Sequence, residues 1–209
     1  MNPKAIKNIA AYARQQSASG APSFEQALAA FLMSWVAWET LRHRLLRELA
    51  HDQGWSMKDA QTALGNLRIS SMGHTSDTLR QLNAKGANAW EERPAAIWKV
   101  LLGVEAIRNR VAHGARTVTP ARLNAATAFV LAAIEDGSRA NGWLSEIAAA
   151  EVPRKGSLGN RRKPHPKSGL RPRAELEERL KPKKMKEKRA NTEMPTASAL
   201  VEAQRAFFR

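Results

Sequence analysis

The densest group of reactive side chains in this 209-residue sequence is Glu105-Ala-Ile-Arg108-Asn109-Arg110-Val-Ala-His113-Gly114. An imidazole can take or give a proton near neutral pH, a guanidinium can stabilise charge on phosphoryl oxygens, and an amide can orient either group. Gly114, just past the histidine, leaves backbone room for a ligand to approach. The other histidines, His43, His51, His74 and His165, form no set with carboxylates at metal-ligand spacing, and the chain contains no cysteine. Neither a metal nor any other cofactor is expected, and thiolate or disulfide chemistry is excluded.

The same stretch carries a helical apolar stripe. At about 100° per residue, Leu101, Val104 and Val111 fall within about 40° of Ile97, and Arg108 falls within about 20°. An earlier run repeats the pattern: Leu32, Trp35 and Leu46 lie within about 40° of Leu28, and Glu39 within about 20°. A charge alone in an apolar face is costly, so Glu39 and Arg108 are expected to pair with each other. Asn109 and His113, four residues apart, share a different face, and Arg108 and His113 diverge by about 140°.

Helices must position these groups. Ile6, Ile9, Ala10 and Ala13 mark a first helix that ends before Ser19-Gly20-Ala21-Pro22. Ser23 is placed to cap a long core helix from Phe24 to about Ala50, with Leu28, Phe31, Leu32, Trp35, Trp38, Leu41, Leu45, Leu46 and Leu49 at three- and four-residue intervals. Residues 56–84 predict two shorter helices parted near Ser70-Ser71-Met72-Gly73. Pro94 suits the first turn of the helix that Gly114 stops, and Thr119-Pro120 opens another that runs to Gly137. A short helix follows within 138–150. No strand-like alternation and no solenoid-length repeat is present, so residues 1–150 are expected to form an all-α bundle of about four to six helices.

Charge divides the chain. Lys and Arg total 34 against 19 Asp and Glu, a formal net charge of +15. Residues 1–150 hold 17 basic and 12 acidic residues, whereas 151–209 hold 17 and 7 in a background broken by Gly156, Gly159, Pro164, Pro166, Gly169 and Pro172. That composition predicts a basic, largely disordered C-terminal tail with a polyanion as its partner. Arg161, Arg162, Lys163, Lys183 and Lys184, with Arg110 and Arg116 beside the motif, are the candidate nucleic-acid contacts. Within the tail, 173–189 reads as a helix charged nearly all round and therefore solvated, and 196–207 as a helix whose Leu200, with Phe207 and Phe208, can dock. The tryptophans at 35, 38, 90, 98 and 143 read as core, Trp55 as the one of the six with most prospect of exposure, and His43 as a solvated residue. No apolar run reaches the roughly 18 residues of a membrane span, and no signal-peptide pattern opens the chain, so a cytoplasmic protein is expected. Lys4, Lys7 and Arg14, with no acid in the first 24 residues, keep a transit peptide as the alternative.

Arg108-Asn109-Arg110-Val111-Ala112-His113 resembles the Arg-polar-x-x-x-His signature of HEPN domains, all-α ribonucleases and nucleotide-binding modules of bacterial defence and toxin systems. Ile107, Gly114, the amphipathic helix that follows and the long aromatic-rich helix carrying Glu39 extend the likeness over about residues 24–136. The resemblance implies metal-independent cleavage of RNA, in which the ribose 2′-hydroxyl attacks the adjacent phosphate and leaves a 2′,3′-cyclic phosphate. It assigns acid/base work to His113, charge stabilisation to Arg108 and orientation to Asn109, with Glu39 holding Arg108. It further implies a homodimer that joins two Arg/His sets in one cleft, and a protein inhibitor or antitoxin as a possible partner. Some toxins of this kind carry a tyrosine two residues beyond the histidine; here that position is Ala115, and the only tyrosine is Tyr12. A non-catalytic helical module that binds nucleic acid or protein through the basic tail stays open beside the nuclease, as does a dimeric regulator, for which no helix-turn-helix pattern is found.

Overall fold

Side chains that repeat every three to four residues can all be buried only if each segment is a helix laid against other helices, and the chain adopts that solution. The computed structural model describes residues 3–17, 22–67, 71–82, 92–114, 117–139, 141–147, 171–181 and 193–208. These form α1 (Pro3–Ser17), α2 (Phe24–Asp52), α3 (Met57–Asn66), α4 (Met72–Gln81), α5 (Glu92–Ala112), α6 (Pro120–Gly137), α7 (Trp143–Ile147), α8 (Arg173–Leu180) and α9 (Ala197–Phe207). Among the described residues there is no strand, and no helix is long and apolar enough to cross a membrane.

Capping chemistry sets the boundaries. Ser23 and Gln26 form a reciprocal capping box at the start of α2. Ser56, Ser71 and Thr119 each accept a backbone N–H in the first turn of α3, α4 and α6, and Pro120 occupies the first turn of α6. Gly114, at φ +77, takes the left-handed conformation that ends α5.

The 29-residue α2 is the central strut, packed on α1, α3 and α6. Phe31, Trp38, Leu41 and Leu46 of α2 are buried with Ile97, Leu101 and Val104 of α5 and Leu123, Phe129 and Val130 of α6. Trp38, Trp98 and Trp143 form an aromatic knot: the Trp38 and Trp143 rings stack at 5.6 Å, and Trp98 meets Trp38 edge-on at 6.3 Å. Trp143 Nε1 donates to the Ala133 carbonyl at 2.8 Å, which satisfies its one polar atom. Trp35 is core as well; Trp90 lies outside the described residues.

Two segments of the basic C-terminal region belong to the body. α9 packs on α6 and α5: Leu200 is buried, Phe208 meets Phe129 edge-on at 5.4 Å, and Pro195 sits so close to Gly103 that a Cβ there would lie 2.7 Å from it. Arg93 ties the same end together, donating to Asp136 at 2.8 Å, to Glu146 at 2.5 Å and to the Phe207 carbonyl at 3.2 Å. The solvated helix expected within 173–189 is corrected by α8, whose Leu176 and Leu180 are buried against α3 and α4. Its two leucines, one turn apart, suffice for a narrow contact seam, although charge surrounds them on every other side. With it goes the exposure considered for Trp55: the indole is fully buried, with Arg171 stacked 4.0 Å from its ring. Residues 148–170 and 182–192 lie outside the described residues.

Candidate active site at the end of α5

The polar motif occupies the last two turns of α5, where the helix runs beyond the packed core. Ile107 is buried; Asn109, Arg110 and His113 are exposed. Arg108 Nη2 lies 3.7 Å from Glu39 Oε1, which joins the charges of the two apolar stripes. Its Nη1 donates to Asn109 Oδ1 at 3.0 Å. Glu39 is fixed in turn by Trp35, whose indole N–H donates to the same Oε1 at 2.8 Å. Arg108, Asn109 and Glu39 are therefore one bonded group.

The expectation of two charges buried in apolar stripes holds only in part. The Arg108 side chain remains 40% exposed and that of Glu39 29%. The deeply buried cation is Arg42, 1% exposed, one turn along α2, with Nη2 also 3.7 Å from Glu39 Oε1. A helical wheel fixes the direction of a residue about its own axis but says nothing of what covers that face. Arg108 sits near the C-terminal end of α5, and Arg42 is buried close enough to Glu105 of α5 and His74 of α4 to interact with both.

Glu105 completes the cluster. Its Oε1 accepts the Met72 backbone N–H at 2.9 Å, at the start of α4, so it binds α5 to the positive end of that helix. Burial pushes its carboxyl above the usual carboxylate range, and the Met72 N–H with Arg42 and Arg108 pulls it back. Burial likewise lowers Arg42 from its ordinary value, against the pull of Glu39 and Glu105. Sequence reasoning assigned Arg42 and Glu105 no role at the site and read Trp35 only as core. Their signals were present as an arginine on the apolar side of α2, a glutamate one turn before Arg108 and an aromatic one turn before Glu39.

His113 stands apart from this group. It follows α5 in the closing turn, exposed, with its backbone N–H bonded to the Asn109 carbonyl at 3.1 Å. His43, expected to be solvated, is half-buried, and burial with the neighbouring Arg42 lowers its pKa. Of the proposed nucleic-acid contacts, Arg110 is exposed beside the motif. Arg116, Arg161, Arg162, Lys163, Lys183 and Lys184 lie outside the described residues. A groove of about 270 Å³ between α1, α6 and α9, bordered by Arg14, Ser17, Glu135 and Gln204, includes none of the motif residues. Among the described residues no cluster of His, Asp and Glu has the makings of a metal site.

Chemically, the end of α5 offers a half-exposed guanidinium anchored from behind, an amide bonded to it and, one turn on, an accessible imidazole. Such a set can hold an anion and move a proton. Comparison of the chain with protein-family models, curated proteins and solved structures finds no match.

Proposed function

We propose that this protein is a metal-independent endoribonuclease of the HEPN type, acting in a bacterial toxin or phage-defence setting. The observation that carries the reading is the anchoring of Arg108. Glu39 and Asn109 hold its guanidinium while leaving it 40% exposed, one turn before the accessible His113. In the reaction the 2′-oxygen of a ribose, giving up its proton, attacks its own 3′-phosphate; the bond from phosphorus to the 5′-oxygen of the next nucleotide breaks, that oxygen takes up a proton, and a 2′,3′-cyclic phosphate and a free 5′-hydroxyl are left. His113 acts as the acid/base, Arg108 stabilises charge on the phosphoryl oxygens, and Asn109 keeps Arg108 in register.

One copy presents Arg108 and His113 about 140° apart, too divergent to enclose a phosphate, so the proposal includes a homodimer. The surface assigned to the second copy is the outer face of α2, where Leu32, Met33 and Val36 are 38–39% exposed on the helix that carries Glu39. An antiparallel α2 pair with its two-fold at Val36 would set Glu25 of each copy opposite Arg47 of the other, a charge match that favours this register. Exposed cations, Arg110 among them, would hold the RNA backbone, and an inhibitor or antitoxin could bind the same face.

The test is incubation of the purified protein with total RNA in EDTA, beside the Arg108→Ala and His113→Ala variants. Cutting that survives chelation, leaves cyclic-phosphate ends and vanishes in both variants is the expected result. Cutting that needs a divalent ion, or that persists in His113→Ala, refutes the mechanism. The bonding of Arg108 to Glu39 and Asn109 also suits a second reading, a helical nucleic-acid-binding module in which the cluster only braces α2 against α5. Salt-sensitive RNA binding without any cleavage would select it.

A further inference from the structure

α8 is held on α3, α4 and Trp55 through few side chains, in the manner of a short bound peptide. Eight residues are too few to hold a helix unaided in water, so α8 owes its conformation to the surface beneath it. Only two of its side chains are fully buried, Leu176 and Leu180, one turn apart, while Arg173, Ala174, Glu175 and Glu178 face solvent. In sequence it is joined to the body through residues 148–170 on one side and 182–192 on the other, lengths that do not force it into the groove.

The remaining contacts read cations. Arg171 lies 4.0 Å over the Trp55 ring, and its backbone N–H donates to the Gly54 carbonyl at 3.1 Å. Trp55 Nε1 donates to the Pro172 carbonyl at 3.2 Å, so the indole grips the segment by both its face and its edge. Eight residues on, Arg179 donates to the Gln81 carbonyl at 2.9 Å and to Gln53 Oε1 at 3.0 Å. Gln81 is the last residue of α4, and Gln53 caps α2. Both guanidiniums thus sit at the negative ends of helices, where the last carbonyls lack partners within the helix. Asn66 adds a hydrogen bond to Glu177 at 3.0 Å.

From this geometry we infer that the face formed by Trp55, α3, α4 and the end of α2 is a docking groove for short amphipathic helices that carry an arginine at each end. Its pattern is Arg-Pro-x-x-x-Leu-x-x-Arg-Leu, and α8 is its resident, detachable occupant. A partner protein that carries this pattern would compete with α8 for the groove and release it. The inference stands apart from RNA cleavage and survives if that reading fails.

The probe is a labelled synthetic peptide of residues 169–182, added to the full chain and to the full chain carrying Leu176→Asp and Leu180→Asp. The double variant should keep a cooperative thermal transition and bind the peptide at least about tenfold more tightly than wild type, whose groove is already filled. Adding Trp55→Ala to that variant, or placing Leu176→Asp in the peptide, should remove the gain. No binding by the double variant at about 1 mM peptide overturns the inference. Equal binding to wild type and variant does the same. A second measurement on the unaltered chain covers a variant that fails to fold. Amide exchange in α8 should be faster than in the buried turns of α2 and α6, reporting separate opening. Protection of α8 equal to theirs would make it an integral part of the cooperative core and refute the proposal.

Discussion

Glu39 touches two arginines of opposite burial, and replacing Arg108 and Glu39 in turn should separate their energies. Arg108 and Glu39 are 3.7 Å apart with 40% and 29% of their side chains exposed, so water screens the pair. A bare Coulomb term for that separation is about 1 kcal/mol in water, and partly exposed pairs measure roughly 0.2–1 kcal/mol once ordering of the side chains is included. Arg108→Ala should therefore cost about 1 kcal/mol or less. Glu39→Ala leaves Arg42, 1% exposed, without the carboxylate 3.7 Å from it. It also removes the acceptor of the Trp35 N–H, a bond of 2.8 Å. Weakening the charge balance around a buried cation and removing an indole's acceptor together should cost about 3–4 kcal/mol, reduced from the full penalty because Glu105 still acts on Arg42. At about 2–4 °C per kcal/mol for a chain of this size, Arg108→Ala should lower Tm by about 3 °C and Glu39→Ala by about 10 °C. Urea titrations followed by tryptophan fluorescence give the same comparison as free energies, provided that the slopes agree. Equal losses, or a larger loss for Arg108→Ala, would show that Arg108 and not Arg42 carries the buried charge, and would refute the account of the cluster.

Burial holds the pKa of both His43 and His74 below the ordinary histidine value; Arg42 adds to this at each site, Arg47 at His43, and Glu39 and Asp77 oppose it. The unfolded chain therefore takes up these protons first, so stability should fall as pH drops through the ordinary histidine pKa and level off below the folded values. A His43→Gln, His74→Gln chain should show a shallower fall in Tm between about pH 7.5 and 5, and an unchanged slope would remove the assignment. Gly142→Ala should be severe, because a Cβ there would lie 1.7 Å from the Asp136 carbonyl oxygen and force the α6–α7 turn apart; a loss of about 3 kcal/mol or more by denaturant titration is expected, and a neutral result would contradict the turn. Removing residues 193–209 takes away Leu200, the Phe208–Phe129 contact and the Arg93 bond to Phe207, and should cost about 4 kcal/mol or more, read as a fall in the urea midpoint. An unchanged midpoint would mean that α9 adds nothing to the core.

The helical elements were legible because their signals are local. Ser23, Thr119-Pro120 and Gly114 are capping or stopping residues whose chemistry acts within one turn, and the structure uses each where the sequence places it. The stripes of α5 and α6 and most of that of α2 follow from periodicity; Leu32, read as core, is instead 38% exposed, because no element covers that edge of α2 among the described residues. The motif residues were legible for the same reason, since reactive types at helical spacing stand out in a chain that is otherwise apolar on that side. Trp55 and α8 were not. A tryptophan between Gly54 and Ser56 reads as a loop residue, and its burial depends on Arg171, 116 positions away in sequence.

By itself, then, the sequence determined which segments are helices, most of the inward side of each long helix, and that Glu39 and Arg108 lie in stripes able to meet, but it placed Leu32, 38% exposed, on the inward side of α2. Only the tertiary structure decided that Arg42 is the buried partner and Arg108 the accessible one, that Glu105 binds the start of α4, and that a charged helix from the basic region covers Trp55. The division has one physical cause. Periodicity and capping are properties of a residue and its neighbours within a turn or two, whereas burial depends on which distant element arrives to cover a face. For α8 that arrival rests on two leucines and two arginines, too few to leave a pattern among so many charges.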